Sequence, residues 1–321
     1  MRSYLEDLEN CELCEWRCGV NRFEGEMGIC MLGKPEVAST TLHPAPPQSY
    51  TVFMAGCNFR CLNCQNWTIA HHPMQESTII GEVRPEILAE EAVKRLNSKR
   101  ASLIGADRIF FSGGAPTPSL PYIEKVVEEA RKIDESVKVN YDTNGFLTES
   151  SLERVIDISD SITFDIKAFE DGTHRELTGA PIEPVLRNVR ILAQKSVEKI
   201  WEFRYLLIPG VNDDEVRGLA KFLSEIDEEL PLNFLAFRPN FVLENYSGIQ
   251  RRKLEEAVEA ATEAGLKNVD WSGMPEVSGR MKKNVRSIRN GVGCCETKRG
   301  CGTCESKLNC PVKSYVPDRR T

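Results

Sequence analysis

The 321-residue sequence predicts an α/β protein, a (β/α)6 partial TIM barrel with a small cysteine-rich metal-binding extension at each end. Three observations carry that expectation. Short apolar runs alternate with amphipathic stretches at a spacing of roughly 30 residues, the pattern of a parallel sheet built from βαβ units. Each apolar run closes on a polar or glycine-rich knot, as expected where ligands gather at the carboxyl ends of the strands. The 12 cysteines fall into three groups, and only one group lies inside the alternating region. The chain is therefore expected to divide into a cysteine-rich extension over 1–48, a barrel over 49–275 and a basic cysteine-rich extension over 276–321. Its Pro-rich stretch His43–Gln48 reads as an extended connector.

Taken in order, the expected strands are 50–55 (YTVFMA), 107–112 (DRIFFS), 137–142 (VKVNYD), 161–166 (SITFDI), 200–208 (IWEFRYLLI) and 232–237 (LNFLAF), with 267–271 as a seventh. Helical periodicity falls between them at 119–134, at 212–228 with Asn212 as its N-cap, and at 249–264. A hydrophobic share of 41% with 28% charged residues supports a packed core and excludes a disordered chain. The start MRSYLEDLEN has no basic-then-apolar signal, and no run of about 18 apolar residues occurs. A cytoplasmic protein without a membrane partner is the expectation, and in a reducing cytosol cysteines serve metal or redox chemistry rather than disulfides.

The net charge of −7 hides an asymmetry: residues 280–321 carry 11 Lys and Arg against 3 acids, leaving the rest of the chain acidic. A cluster with four thiolates is anionic, so basic residues beside it would balance it. An acidic protein is the alternative partner, and nucleic acid is opposed by the acidic remainder. Neither a G-x-x-x-x-G-K-[ST] phosphate loop nor a Ser-centred nucleophile motif is present. His71 and His72 lack metal-spaced partners and read as a solvated loop, and Trp201 and Trp271 as packing residues.

The chemistry concentrates in GCNFRCLNCQNW, where Cys57, Cys61 and Cys64 form C-x3-C-x2-C directly after an apolar strand. A 4Fe-4S cluster normally takes four cysteines, so three thiolates leave one iron open to another chelator. The strand ends supply polar groups on the same face. After the second strand, SGGAPTP places Ser112 beside Gly113 and Gly114, which let backbone approach a ligand closely. DTNG gives Asp142, Thr143 and Asn144; FDIK gives Asp165 and Lys167 on one face, since strand side chains repeat every second residue. RYLLIPGVND adds Arg204 and LAFRP adds Arg238. One such charge is ordinarily a solvated rim residue, and SGG alone a βα turn. Five strand ends together converge on a ligand with carboxylate, amine and ribose groups.

From Tyr50 to about Trp271 the chain resembles the glycyl-radical-enzyme activating enzymes of the radical S-adenosylmethionine (SAM) superfamily, with GCNFRCLNCQN, SGG, YDTNGF, DIK and RYLLIPG in that family's order. The resemblance implies that Cys57, Cys61 and Cys64 bind a 4Fe-4S cluster and that Gly113 and Gly114 meet the SAM amino group. It implies that Asp142, Thr143 and Asp165 frame the SAM carboxylate, with a monovalent cation there, and that Lys167 contacts SAM. Ser112, Asn144, Arg204 and Arg238 join them as candidate cofactor contacts, and Phe59 is the aromatic nearest the cluster. Three positions depart from the family pattern: Ala115 replaces the Glu of GGE, Asn63 replaces an aromatic before the third Cys, and Arg238 stands where a His is usual. The D-G-P-G segment of activating enzymes is replaced by HPAPPQSY, so activation of a glycyl radical enzyme is not the expectation. The N-terminal CELCEWRCGVNRFEGEMGIC instead resembles the PflX-like and AmmeMemoRadiSam-type branch.

The outer cysteines complete the reading. Cys11, Cys14, Cys18 and Cys30 supply four ligands within 20 residues, enough for Zn²⁺ or an iron-sulfur cluster. Cys301-x2-Cys304-x5-Cys310 resembles the SPASM domains of peptide-modifying radical SAM enzymes, with Cys294 or Cys295 completing an auxiliary 4Fe-4S cluster; structural zinc is the rival. The activity implied is reductive SAM cleavage to a 5′-deoxyadenosyl radical that takes hydrogen from a protein or peptide, fed by a low-potential flavodoxin- or ferredoxin-type reductant. A small-metabolite substrate, or a non-catalytic iron-sulfur electron carrier on the same fold, are the alternatives.

Overall fold

The computed structural model describes residues 4–72 and 78–276. The expected auxiliary site at Cys294, Cys295, Cys301, Cys304 and Cys310 lies outside the described residues.

Eight strands form the sheet: β1 (Val37–His43), β2 (Ser49–Met54), β3 (Arg108–Gly113), β4 (Lys138–Thr143), β5 (Ser161–Ile166), β6 (Ile200–Leu207), β7 (Leu232–Ala236) and β8 (Val269–Ser272). Their order in the sheet is their order in the chain. Pairing is parallel for β2 with β3, β3 with β4, β6 with β7 and β7 with β8. Nine helices accompany them among the described residues: α1 (Trp67–Ala70), α2 (Pro85–Leu96), α3 (Lys99–Ile104), α4 (Leu120–Ile133), α5 (Glu149–Ile158), α6 (Asp171–Thr178), α7 (Glu183–Ser196), α8 (Val216–Ser224) and α9 (Arg251–Glu263).

The parallel strands read as continuous apolar runs because both of their faces are covered; five of the six residues of β5 are buried. The helices cover them with one stripe each. In α4, Leu120, Ile123, Val127 and Ala130 recur at helical spacing and are buried, Pro121 sits in the first turn, and Arg131 and Lys132 face the carbonyl end. The seven strands expected from the apolar runs are all present to within two residues.

Two compact units divide the described chain, the first drawn from Met1–Asn58 and Asn66–Thr163, the second from Phe59–Gln65 and Phe164–Thr321. Within the first, Cys30 and Leu32 share a small core with Ala38 and Ala55, and α2 packs on α4. Within the second, α8 packs on α9, and α9 on β8. No described helix is long and apolar enough to cross a membrane.

Four local expectations are corrected. The stretch His43–Gln48 is not an extended linker: His43 ends β1 and residues 44–48 connect a hairpin, because β1 pairs antiparallel with β2 from Val37 opposite Met54 to His43 opposite Ser49. VASTTLH escaped notice because it is polar on its exposed positions and short of bulky apolar residues. Asn212 does not cap a helix: α8 starts at Val216, and Asn212 is fully buried. Its amide accepts the Ile208 N–H at 2.8 Å and donates to the carbonyls of Lys167 and Leu206 at 3.1 and 2.9 Å. His71 is 2% exposed rather than solvated, and Trp201, read as a packing residue, is 37% exposed.

Candidate functional site

In the first unit the strand ends are laced together by backbone. Beyond β2, Gly56 (φ 73°) turns the chain into Cys57. The N–H of Gly114 donates to the Met54 carbonyl and that of Ala115 to the Gly56 carbonyl, both at 2.9 Å. Asn66 adds a side-chain bond of 2.9 Å to the Gly113 carbonyl. A Cβ on Gly114 would overlap the Gly56 carbonyl oxygen, and one on Gly113 (φ 121°) would overlap the backbone of Met54. Both glycines are therefore required by the approach of one strand end to the next, whatever else they bind.

Ser112 donates from Oγ to Oδ2 of Asp142 at 2.6 Å, joining the ends of β3 and β4. At the end of β4, Thr143 Oγ1 accepts the Gly145 N–H at 3.1 Å, and just beyond it Asn144 accepts the Phe146 N–H at 3.1 Å while donating to Oδ1 of Asn58 at 2.7 Å. Asn58, fully buried between Cys57 and Phe59, returns a bond from Nδ2 to the Phe146 carbonyl at 3.0 Å. This reciprocal pairing holds the first turn of the cysteine loop on the end of β4. The sequence signal for Asn58 is an Asn set directly beside a motif cysteine, a candidate for such anchoring; Asn66 carries no comparable signal.

The second unit carries the rest of the loop. Arg60 and Leu62 donate their N–H groups to the carbonyls of Thr178 and Leu177, at 2.8 and 2.9 Å, so the C-terminal turn of α6 fixes the backbone around Cys61. Phe59 stands edge-on to His174, ring centroids 5.3 Å apart. At the end of β5 the ion pair of Lys167 Nζ and Asp165 Oδ2 measures 2.7 Å, as their shared strand face allows. Glu215, its pKa raised by burial, accepts the N–H groups of Phe169 and Glu170 at 2.7 and 3.1 Å and locks the chain leaving that strand. Arg204 pairs with Glu202 on the same face of β6, and Arg238 is exposed beyond β7.

His174 is fully buried, with Nδ1 2.7 Å from the Ala180 carbonyl. Burial lowers its pKa from 6.5 to about 4. The unfolded chain binds that proton first as pH falls, so native stability is expected to decline between pH 6.5 and about 4. The decline amounts to about 3 kcal/mol at its limit. Denaturation midpoints measured across that window should flatten in His174→Gln.

Among the motif cysteines, Cys57 is buried, and Cys61 and Cys64 are half-buried. That shielding and the spacing of the three along one loop suit thiolate ligation of a cluster. Among the described residues no three His, Cys, Asp or Glu side chains gather as one metal ion would demand; a 4Fe-4S cluster spreads its thiolates over separate irons and needs no such convergence. At the N-terminus, Cys11, Cys14 and Cys30 are buried and Cys18 half-buried. Burial raises the Cys14 and Cys18 thiols, the other cysteines of the group push them the same way, and the N–H groups of Trp16 and Ile29 oppose this as donors.

Residues 51–223, just over half of the chain, match the family model for the radical SAM superfamily, and the chain belongs to that superfamily. It is a radical SAM enzyme, of the class that binds SAM and a 4Fe-4S cluster, and it is similar to the glycyl-radical activating enzymes. An uncharacterized protein of Methanocaldococcus jannaschii is 28% identical over 271 residues, covering 82% of this chain and 76% of the relative. The pyruvate formate-lyase-activating enzyme of Staphylococcus aureus is 29% identical over 193 residues, 57% of this chain and 71% of its own length. Among solved structures, Streptococcus suis SuiB bound to S-adenosylmethionine aligns with a TM-score of 0.49 at 15% identity, over 68% of this chain and 48% of that one.

Proposed function

We propose that this enzyme takes a hydrogen atom from a protein or peptide, with Cys57, Cys61 and Cys64 ligating its cluster and the strand-end side chains holding SAM. Cys57, Cys61 and Cys64 would supply three thiolates to the cluster, which when bound would supply the electron for reductive cleavage of SAM. Within the first unit, Ser112 orients the Asp142 carboxylate through its 2.6 Å bond. Within the second, Lys167 and Asp165 hold one another by their ion pair, so either presents a fixed charge to a ligand. An electron carrier has no need of these charged groups at the strand ends, and that observation carries the enzymatic reading.

A polypeptide substrate is supported by the similarity to the pyruvate formate-lyase-activating enzyme. The electron donor in this reading is a flavodoxin- or ferredoxin-type protein in the cytosol. Cys11, Cys14, Cys18 and Cys30 hold an iron-sulfur cluster in the same reading, since no three of them gather as one zinc ion would demand, and the C-terminal cysteines hold an auxiliary cluster. The substrate class is tested by isotope transfer. The reduced enzyme and SAM are incubated with the macromolecular or the small-molecule fraction of cells grown in deuterated medium. Deuterium in 5′-deoxyadenosine from the macromolecular fraction is the expected result; deuterium from the small-molecule fraction alone would replace the polypeptide with a metabolite.

A further inference from the structure

The N-terminal cysteine segment reaches the loop on both sides of Cys57. On the C-terminal side, Trp16 donates from Nε1 to the Asn58 carbonyl at 2.7 Å, and its ring lies 5.2 Å from that of Phe146. The side chain of Asn58 is already satisfied by Asn144 and Phe146, so Trp16 adds the hold on its backbone. On the N-terminal side, the absent Cβ of Gly56 leaves the space taken by Cγ and Cδ1 of Leu32; a Cβ there would also stand 3.0 Å from the Cys30 carbonyl oxygen. Trp16 follows Cys14 by two residues, and Leu32 follows Cys30 by two.

The segment is itself fastened to the unit. Cys14 bridges Leu147, the Thr148 N–H donates to the Leu13 carbonyl at 3.3 Å, and Arg22, 1% exposed, ties three strands of chain together. Its guanidinium donates to the carbonyls of Leu32 and Gly33 at 2.9 Å and of Pro118 at 2.7 Å, and lies 3.6 Å from Cys11 Sγ. Pro118 belongs to the loop that follows Gly113 and Gly114. A buried cation with that many partners fixes the distance between the two arms that carry Trp16 and Leu32.

We infer that the N-terminal four-cysteine segment is a clamp on the cluster loop, gripping the residues on either side of Cys57, with Trp16 as its positioning residue. The inference rests on the reading of Cys57, Cys61 and Cys64 as cluster ligands. Because Trp16 and Leu32 are two residues from Cys14 and Cys30, whatever ties the four cysteines together sets the width of the grip, and loss of that tie is felt at Cys57.

Trp16→Phe keeps a ring against Phe146 and removes the indole donor; Leu32→Ala empties the space over Gly56. In the anaerobically reconstituted full chain, each is expected to speed hydrogen exchange at the Gly56 and Phe146 amides by about fivefold or more, the lower figure being the size of the one hydrogen bond that Trp16→Phe removes. The Ala264 amide, which closes the C-terminal end of α9 on the Ala260 carbonyl, should be unchanged. The EPR g-values of the reduced cluster should shift in both variants while bound iron is retained. Trp16→Phe and Leu32→Ala proteins that both match wild type in local exchange, or both match it in g-values, overturn the clamp. Failure of the cluster reading is separately visible, as a SAM-responsive cluster signal that survives Cys61→Ala.

Discussion

Replacing Cys61 by Ala is expected to strip the cluster of Cys57, Cys61 and Cys64 and to reduce 5′-deoxyadenosine formation to the level seen without enzyme. A cluster held by three protein thiolates has no spare ligand, so one deletion removes a third of its protein attachment. Cys61 lies in a backbone fixed by the bonds of Arg60 and Leu62 to α6, and the side chain is only half-buried, so Ala there leaves no large cavity. The denaturation midpoint of the iron-free protein should therefore stay close to wild type while iron per chain falls. A Cys61→Ala protein that loads the same iron and gives the same product would remove this loop from the chemistry.

Gly114→Ala should be the most damaging single methyl in the first unit. The added carbon would overlap the carbonyl oxygen of Gly56 and stand 2.9 Å from Cα of Ala70, both backbone atoms with no rotamer to change. Overpacking that cannot be relieved by a side chain costs about 3 kcal/mol or more. The displaced residue directly precedes Cys57, so cluster loading should fall together with stability. Gly172→Ala is the control: nothing lies within 4 Å of its added carbon, and it sits in α6, where Ala is favoured over Gly by about 1 kcal/mol. Urea denaturation of the two variants should move in opposite directions; a Gly114→Ala protein as stable as wild type contradicts the close approach of the two strand ends.

The fold was legible because its signal is repeated. Buried parallel strands such as SITFDI stand out as apolar runs, and each recurrence of strand and amphipathic helix reinforces the next. β1 was not legible, since an edge strand covered on one face needs few apolar residues and VASTTLH has few. The shared face of Asp165 and Lys167 was readable from strand period alone, and the structure adds their ion pair. The roles of Asn58, Asn144, Asn212 and Trp16 were not. Each depends on which carbonyl or amide the folded chain brings to it from as many as 88 positions away, as Asn58 and Phe146 illustrate. Gly113 and Gly114 were read as making room for a ligand, and the packing adds another cause, the backbone of Met54 and Gly56. Asn212 reads as a helix cap because Asn ahead of an acidic, then amphipathic, run has that signature; burial between two strand ends uses the same amide for a different purpose.

The most direct test is to reconstitute the protein anaerobically, reduce it with dithionite, add SAM and quantify 5′-deoxyadenosine while recording the EPR spectrum, with Cys61→Ala alongside. The account predicts a reduced-cluster signal that changes on adding SAM, and product that is absent in the variant. A loaded cluster whose signal ignores SAM and which forms no 5′-deoxyadenosine would contradict it.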